Sequence, residues 1–160
     1  MFSIVVPTYC EEKRIERTID AIFQFFQKND RDFEIIVSDD GSSDNTREVV
    51  KKLQTKYKNL TLLENKHLGK GMTVKAGMEK ATGDIVLFTD ADLATPIEEF
   101  SKLEKEFEKG ADVVIGSRGL KREGAPPLRL IMSWGFNFLV RVLLGLNFSD
   151  TNCGFKAFRK

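Results

Sequence analysis

The sequence predicts an α/β domain built on a mostly parallel sheet. Short apolar runs alternate with segments of helical periodicity, four times over. The apolar runs are continuous rather than alternating, as in strands covered on both faces. A chain of 160 residues, 41% hydrophobic and 31% charged, suits one globular domain with a real core.

The elements follow in order. Phe2–Pro7 (FSIVVP) reads as a first buried strand, and Glu11–Lys28 carries Ile15, Ile19, Ile22, Phe23 and Phe26 at helical spacing. Phe33–Ser38 (FEIIVS) is a second strand. Asp44–Lys58 is a second helix, with Asp44 or Asn45 as its cap and Val49, Val50 and Leu53 inward. Leu60–Glu64 is a third strand, and Lys70–Ala81 a helix stopped by Thr82-Gly83-Asp84. Ile85–Thr89 (IVLFT) is a fourth strand. Pro96–Lys109 is a helix with Pro in its first turn and Gly110 just past its end. Asp112–Gly116 (DVVIG) is a fifth strand, and Lys121–Pro127 (KREGAPP) is a loop. The segment Leu128–Phe148 is a broadly apolar helix with Trp134, Phe136, Phe138, Arg129 and Arg141. Composition leaves two readings of it open: a helix of the core, or one at a membrane interface with arginines toward phosphate head groups.

Composition excludes several classes. The 25 Lys+Arg and 24 Asp+Glu nearly cancel, at net +1, which argues against nucleic acid as a partner. Cys10 and Cys153 have no zinc-site spacing and read as reduced thiols. MFSIVVPTYCEE has no basic leader region and reads as a strand, not a signal peptide. No uncharged apolar run reaches the roughly 18 residues of a confident membrane span.

Parallel sheets of this kind bind ligands at the carboxyl ends of their strands. Asp90-Ala91-Asp92 follows the fourth strand, and in an extended segment two carboxylates at i and i+2 point the same way. Such a pair can hold a hard divalent cation whose shell a diphosphate completes. The competing reading is a pair of exposed aspartates capping the next helix. Asp39-Asp40-Gly41-Ser42 follows the second strand, either as acceptors for a base or ribose or as an ordinary turn. Gly69-Lys70-Gly71 opens a helix and suits a phosphate. It is not a P-loop, and no GxGxxG is present. Arg118 follows the fifth strand and could fix an anion. His67, the single histidine, has no partner that would make a triad. A DxD phosphatase would need DxDxT on the first strand; here DADLAT lies on the fourth, with Thr one place late. A nucleotide-binding or membrane-docking module without turnover is the non-enzymatic rival.

Taken together, VVPTYCEE, SDDGSSDNT, HLGKG, TDADLATP, Gly116-Ser117-Arg118 and the closing DTNCGFKAFRK resemble the family 2 glycosyltransferases, in order and over the whole chain. Within that family the sequence is most similar to the dolichyl-phosphate glucosyltransferases, through DADLATP, RLIMSWGFNFLVRVLLGL and the DT-x-CGFK ending. It departs at Cys10, where the family has Asn, at Asn152, where it has Gln, and at Ala94, where mannosyl relatives often have Gln.

The resemblance implies a Rossmann-like nucleotide-sugar-binding domain of the GT-A type. Residues 1–160 would form one glycosyltransferase domain. Residues 1–120 would hold the nucleotide sugar, and 121–160 would face the acceptor and lipid. Family members usually continue with further helices, so the resemblance implies either a minimal or a C-terminally shortened form. The resemblance places Pro7, Tyr9 and Glu11 at base and ribose, Asp39 on the base with Asp40 beside it, and Lys70 near the donor. Ala91 lies within that site. Asp90 and Asp92 would bind Mg²⁺ or Mn²⁺ and the diphosphate. Arg118, Arg129 and Ser133 would receive the acceptor phosphate, with Asp90, Asp92 and Arg118 as the catalytic set. The implied reaction moves glucose from UDP-glucose to a dolichyl or other polyprenyl phosphate, with inversion. The implied location is peripheral, on the cytoplasmic face of a membrane. The alternative is the same chemistry with GDP-mannose, or another reaction of the family.

Overall fold

The computed structural model describes residues 1–117 and 153–160. The backbone divides into two compact units. One comprises Met1–Val114 and Gly154–Lys160, the other Ile115–Cys153. The closing residues Gly154–Lys160 thus belong to the first unit. The apolar segment Leu128–Phe148, with its Arg129 and Ser133, lies outside the described residues, as does Arg118.

The described strands are β1 (Phe2–Thr8), β2 (Phe33–Asp39), β3 (Leu60–Glu64), β4 (Ile85–Thr89), β5 (Val113–Ile115) and β6 (Phe155–Arg159). The helices are α1 (Ile15–Lys28), α2 (Thr46–Lys56), α3 (Lys70–Lys80) and α4 (Phe100–Glu108). A short 3-10 turn, Ile97–Glu99, leads into α4. The strands form one sheet in the order β3-β2-β1-β4-β6-β5. β1 runs parallel to both β2 and β4, and β2 parallel to β3. β6 is antiparallel to β4, from Ile85 opposite Arg159 to Thr89 opposite Phe155. This strand is not among the sequence expectations.

Burial follows the expected pattern. Ile4, Val5, Val6, Ile35, Ile36 and Val37 are fully buried, so both faces of β1 and β2 are covered. α1 buries Ile15, Ile19, Ile22 and Phe26 on one stripe. It begins later than expected, because Arg14 N–H and Ile15 N–H both reach back to the Glu11 carbonyl and make the approach a separate turn. At the amino ends of the strands, Phe2, Phe26 and Phe100 form a ring cluster, with Phe2 edge-on to Phe100 at 5.3 Å. Arg31 stacks over Phe25 and Phe100 and pairs with Glu104. One end of the sheet is thus sealed by apolar rings, and its polar groups collect at the other.

α3 packs against the sheet at Gly77. A Cβ there would sit 2.4 Å from Val5 Cγ1 and 3.3 Å from Ser38 Cβ. Val5 is fully buried and has nowhere to move. Gly77→Ala would gain about 1 kcal/mol of helix propensity. Overpacking a sealed core costs about 1–3 kcal/mol. A 2.4 Å approach to an immobile neighbour belongs in the upper part of that range, about 2–3 kcal/mol, so urea denaturation should show Gly77→Ala less stable than wild type by about 1–2 kcal/mol.

Candidate active site

The carboxyl ends of β1, β2 and β4 enclose a cavity of about 390 Å³. Pro7, Thr8 and Tyr9 line it from β1, Asp40 from β2, and Asp90, Ala91 and Asp92 from β4. Glu11, His67, Gly69, Lys70 and Thr73 complete the wall. Of the expected nucleotide-sugar residues, Pro7, Tyr9, Glu11, Asp40, Lys70, Asp90, Ala91 and Asp92 come together here. Asp39 does not line the cavity.

Asp39 and Asp40 divide in role. Asp39 is fully buried. It accepts from Arg47 Nε at 2.6 Å, from Ser42 N–H at 3.0 Å, from Gly41 N–H at 3.1 Å and from the Ser42 hydroxyl. The Asp39–Arg47 hydrogen bond and the neighbouring carboxylates raise the affinity of Arg47 for its proton. Asp39 therefore anchors the turn after β2. Gly41 holds φ +78°, and a Cβ there would crowd the His67 backbone at 3.1 Å. Asp39, which the resemblance places on the base, has both carboxylate oxygens hydrogen-bonded within the protein.

Asp40 takes the next loop. Its carboxylate accepts Leu68 N–H at 2.9 Å and Gly69 N–H at 3.1 Å. The amides just before α3 thus already hold an anion of the protein. His67 Nδ1 lies 2.9 Å from the Asp40 carbonyl and 3.0 Å from its carboxylate. Both partners only accept, so Nδ1 carries the hydrogen. The ring so fixed stacks on Tyr9, with centroids 4.5 Å apart and planes at 23°. Tyr9 is about half exposed. Sequence reasoning gave His67 no role because it sought a catalytic triad. An aromatic neighbour from a distant strand end leaves no sequence signal. Cys10, beside Tyr9, holds φ +57°, a conformation Asn adopts more readily than Cys.

Asp90 and Asp92 both reach the cavity, but by a turn rather than an extended segment. β4 ends at Thr89, and Leu93 N–H returns to the Asp90 carbonyl at 3.1 Å. Leu93 takes φ +47° to close this turn. The buried Thr18 hydroxyl of α1 donates to the Ala91 carbonyl and pins it from below. Asp92 accepts Ala94 N–H at 3.0 Å. This bond closes a local turn two residues on and caps no helix: neither the Ile97–Glu99 turn nor α4 has a side-chain cap, so the capping reading of the aspartate pair is not met. Lys70 Nζ meets Asp90 Oδ1 at 2.7 Å.

The cavity carries the carboxylates of Glu11, Asp40, Asp90 and Asp92 against the ammonium of Lys70. Such a wall repels a diphosphate unless a cation intervenes. Among the described residues no cluster of three or more His, Cys, Asp or Glu could hold a metal. Two carboxylate arms with oxygen donors fit a hard cation that takes its other ligands from water and phosphate. The donor set is compatible with Mg²⁺ or Mn²⁺.

Residues 3–160 match the family model described as Glycosyl transferase family 2. The chain belongs to that family. This family 2 chain is 39% identical over 171 residues to a dolichyl-phosphate beta-glucosyltransferase of Trichomonas vaginalis, covering 99% of the chain and 53% of the relative. It is 34% identical over 178 residues to the dolichyl-phosphate beta-glucosyltransferase of Homo sapiens, covering 99% and 54%. The chain thus spans about half the length of these curated relatives. Its fold matches a mannosyltransferase of Pyrobaculum calidifontis, solved with GDP-Man and Mn²⁺, at TM-score 0.69 and 23% identity. That match covers 99% of this chain and 44% of the other. It shows the α/β fold.

Burial alone would raise the Asp40 carboxyl pKa, but the Leu68 and Gly69 amides, the Thr73 hydroxyl and His67 hold it below the usual range. A depressed folded value means that ionised Asp40 stabilises the fold fully above about pH 4. That contribution is lost as pH falls through the lower folded value. Asp40→Asn should therefore cost about 1–3 kcal/mol at pH 7. The gap to wild type should close toward pH 2, read from urea denaturation at a series of pH values.

Proposed function

We propose that the chain carries the donor site of an inverting glycosyltransferase that moves glucose from UDP-glucose to a dolichyl or similar polyprenyl phosphate. One observation carries this reading. The paired Asp90 and Asp92, Lys70 and the Tyr9–His67 stack line one cavity at the carboxyl edge of the sheet. The donor sugar and lipid acceptor are read from the dolichyl-phosphate beta-glucosyltransferases that the chain resembles.

Each residue has a physical task. The Tyr9–His67 stack offers a flat platform for a base, with His67 held by Asp40. Lys70, beside Asp90, presents an ammonium to a diphosphate. Asp90 and Asp92 would hold Mg²⁺ or Mn²⁺, which when bound neutralises charge growing on the leaving diphosphate. Arg118, Arg129 and Ser133, outside the described residues, are assigned the acceptor phosphate on the resemblance. An acceptor phosphate is already anionic at neutral pH, so the site needs no strong general base. Its chief demand is alignment for in-line attack. We place the working enzyme peripherally at the cytoplasmic face of a membrane. Among the described residues no helix is long and apolar enough to cross one.

Calorimetry with UDP-glucose and GDP-mannose, in Mn²⁺ and in EDTA, tests the reading. UDP-glucose should bind only with the metal, and Asp92→Ala should weaken it about tenfold or more. Binding of GDP-mannose in its place would move the donor to the mannosyl alternative. Binding of neither would overturn the reading.

A further inference from the structure

Gly154 lies just before β6, one residue beyond the last β4–β6 pair, Thr89 opposite Phe155. Its carbonyl accepts Asp90 N–H at 3.2 Å, so the ladder extends to the first metal-site aspartate. Glycine is needed where φ is positive or where space is short. Gly154 has no left-handed φ, so the backbone does not require it. Space does: a Cβ at Gly154 would lie 1.8 Å from Asp90 Oδ2, 2.4 Å from its Cγ and 2.8 Å from Oδ1. The methyl would occupy the volume of the whole carboxylate.

The strand cannot retreat to make room. Phe155 and Ala157 are fully buried, and β6 is paired with β4 through five residues. The aspartate would have to yield. A short side chain has few places to go, and a rotated carboxylate leaves Lys70, which now meets Oδ1 at 2.7 Å.

We infer that Gly154 is a positioning residue for the donor site: its missing side chain is the slot that keeps the Asp90 carboxylate turned into the cavity, toward Lys70 and a divalent cation. The metal-holding part rests on the function proposed above; the steric coupling of Gly154 to Asp90 does not. The antiparallel strand that sequence reading missed thus has a task in the site.

Gly154→Ala, Asp90→Ala and the double variant, made in this chain, test it with two readouts. In calorimetric titration with Mn²⁺ and UDP, Gly154→Ala and Asp90→Ala should each lose about 10–100-fold in affinity. In urea unfolding, Gly154→Ala should lower the midpoint when Asp90 is present and leave it unchanged when residue 90 is Ala. Should the single variant not fold, recovery of folding in the double supports the same coupling. Wild-type affinity in Gly154→Ala would overturn the inference, as would an equal loss of stability in both backgrounds. If wild type itself binds neither Mn²⁺ nor UDP, the proposed function fails, and the unfolding pair still decides the coupling.

Discussion

β1 lies between two parallel neighbours, and the whole site follows from that placement. Chain order runs outward from it in both directions, to β2 and β3 on one side and to β4 on the other. The connections leaving the carboxyl ends of β1 and β4 therefore diverge, and a crevice opens between them. Pro7–Glu11, Asp40 and Asp90–Asp92 are the segments that border it. None of them could carry an unpaired charge a few residues earlier. Ile4–Val6, Ile35–Val37 and Val86–Phe88 are buried, where an unpaired charge would be prohibitive. The sheet pushes its chemistry to one edge because its middle has no water.

The acids at that edge separate by burial. Asp39 is fully buried, and its oxygens are filled by Arg47 and the Gly41–Ser42 turn. Asp40 is nearly so, filled by the amides before α3. Each would be costly to ionise in place without those donors, and each joins loops that would otherwise be independent. Asp90 and Asp92 sit further out, with fewer donors from the protein. Asp90 meets one exposed ammonium, Lys70, and Asp92 one amide, Ala94. Lone pairs not committed to the fold are what a ligand can use. In this site the inner acids build the walls and the outer ones face the solute.

Much of this was legible in the chain. The parallel strands showed because each is a continuous apolar run, and α1 because Ile15, Ile19, Ile22 and Phe26 recur on one face. The polar clusters after each run identified the ligand edge, and most residues named from them line one cavity. β6 was not legible. Phe155–Arg159 alternates burial, with Lys156 and Arg159 breaking the apolar run, and its partner β4 is some 70 residues earlier. Two adjacent aspartates gave no hint of which faced inward. That choice depends on Arg47, eight residues on, folding back against Asp39. His67 was passed over because stacking on Tyr9 joins two strand ends, a contact without a spacing rule.

Paramagnetic broadening would test the account most directly. Mn²⁺ with UDP, added to the ¹⁵N-labelled chain, should erase the amide signals of Tyr9, Lys70 and Asp90–Asp92 first. Those of Phe2, Phe33 and Ile85, at the amino end of the same strands, should stay sharp. Broadening centred away from the β1–β4 crevice, or spread evenly over the surface, would contradict the assignment of the donor site.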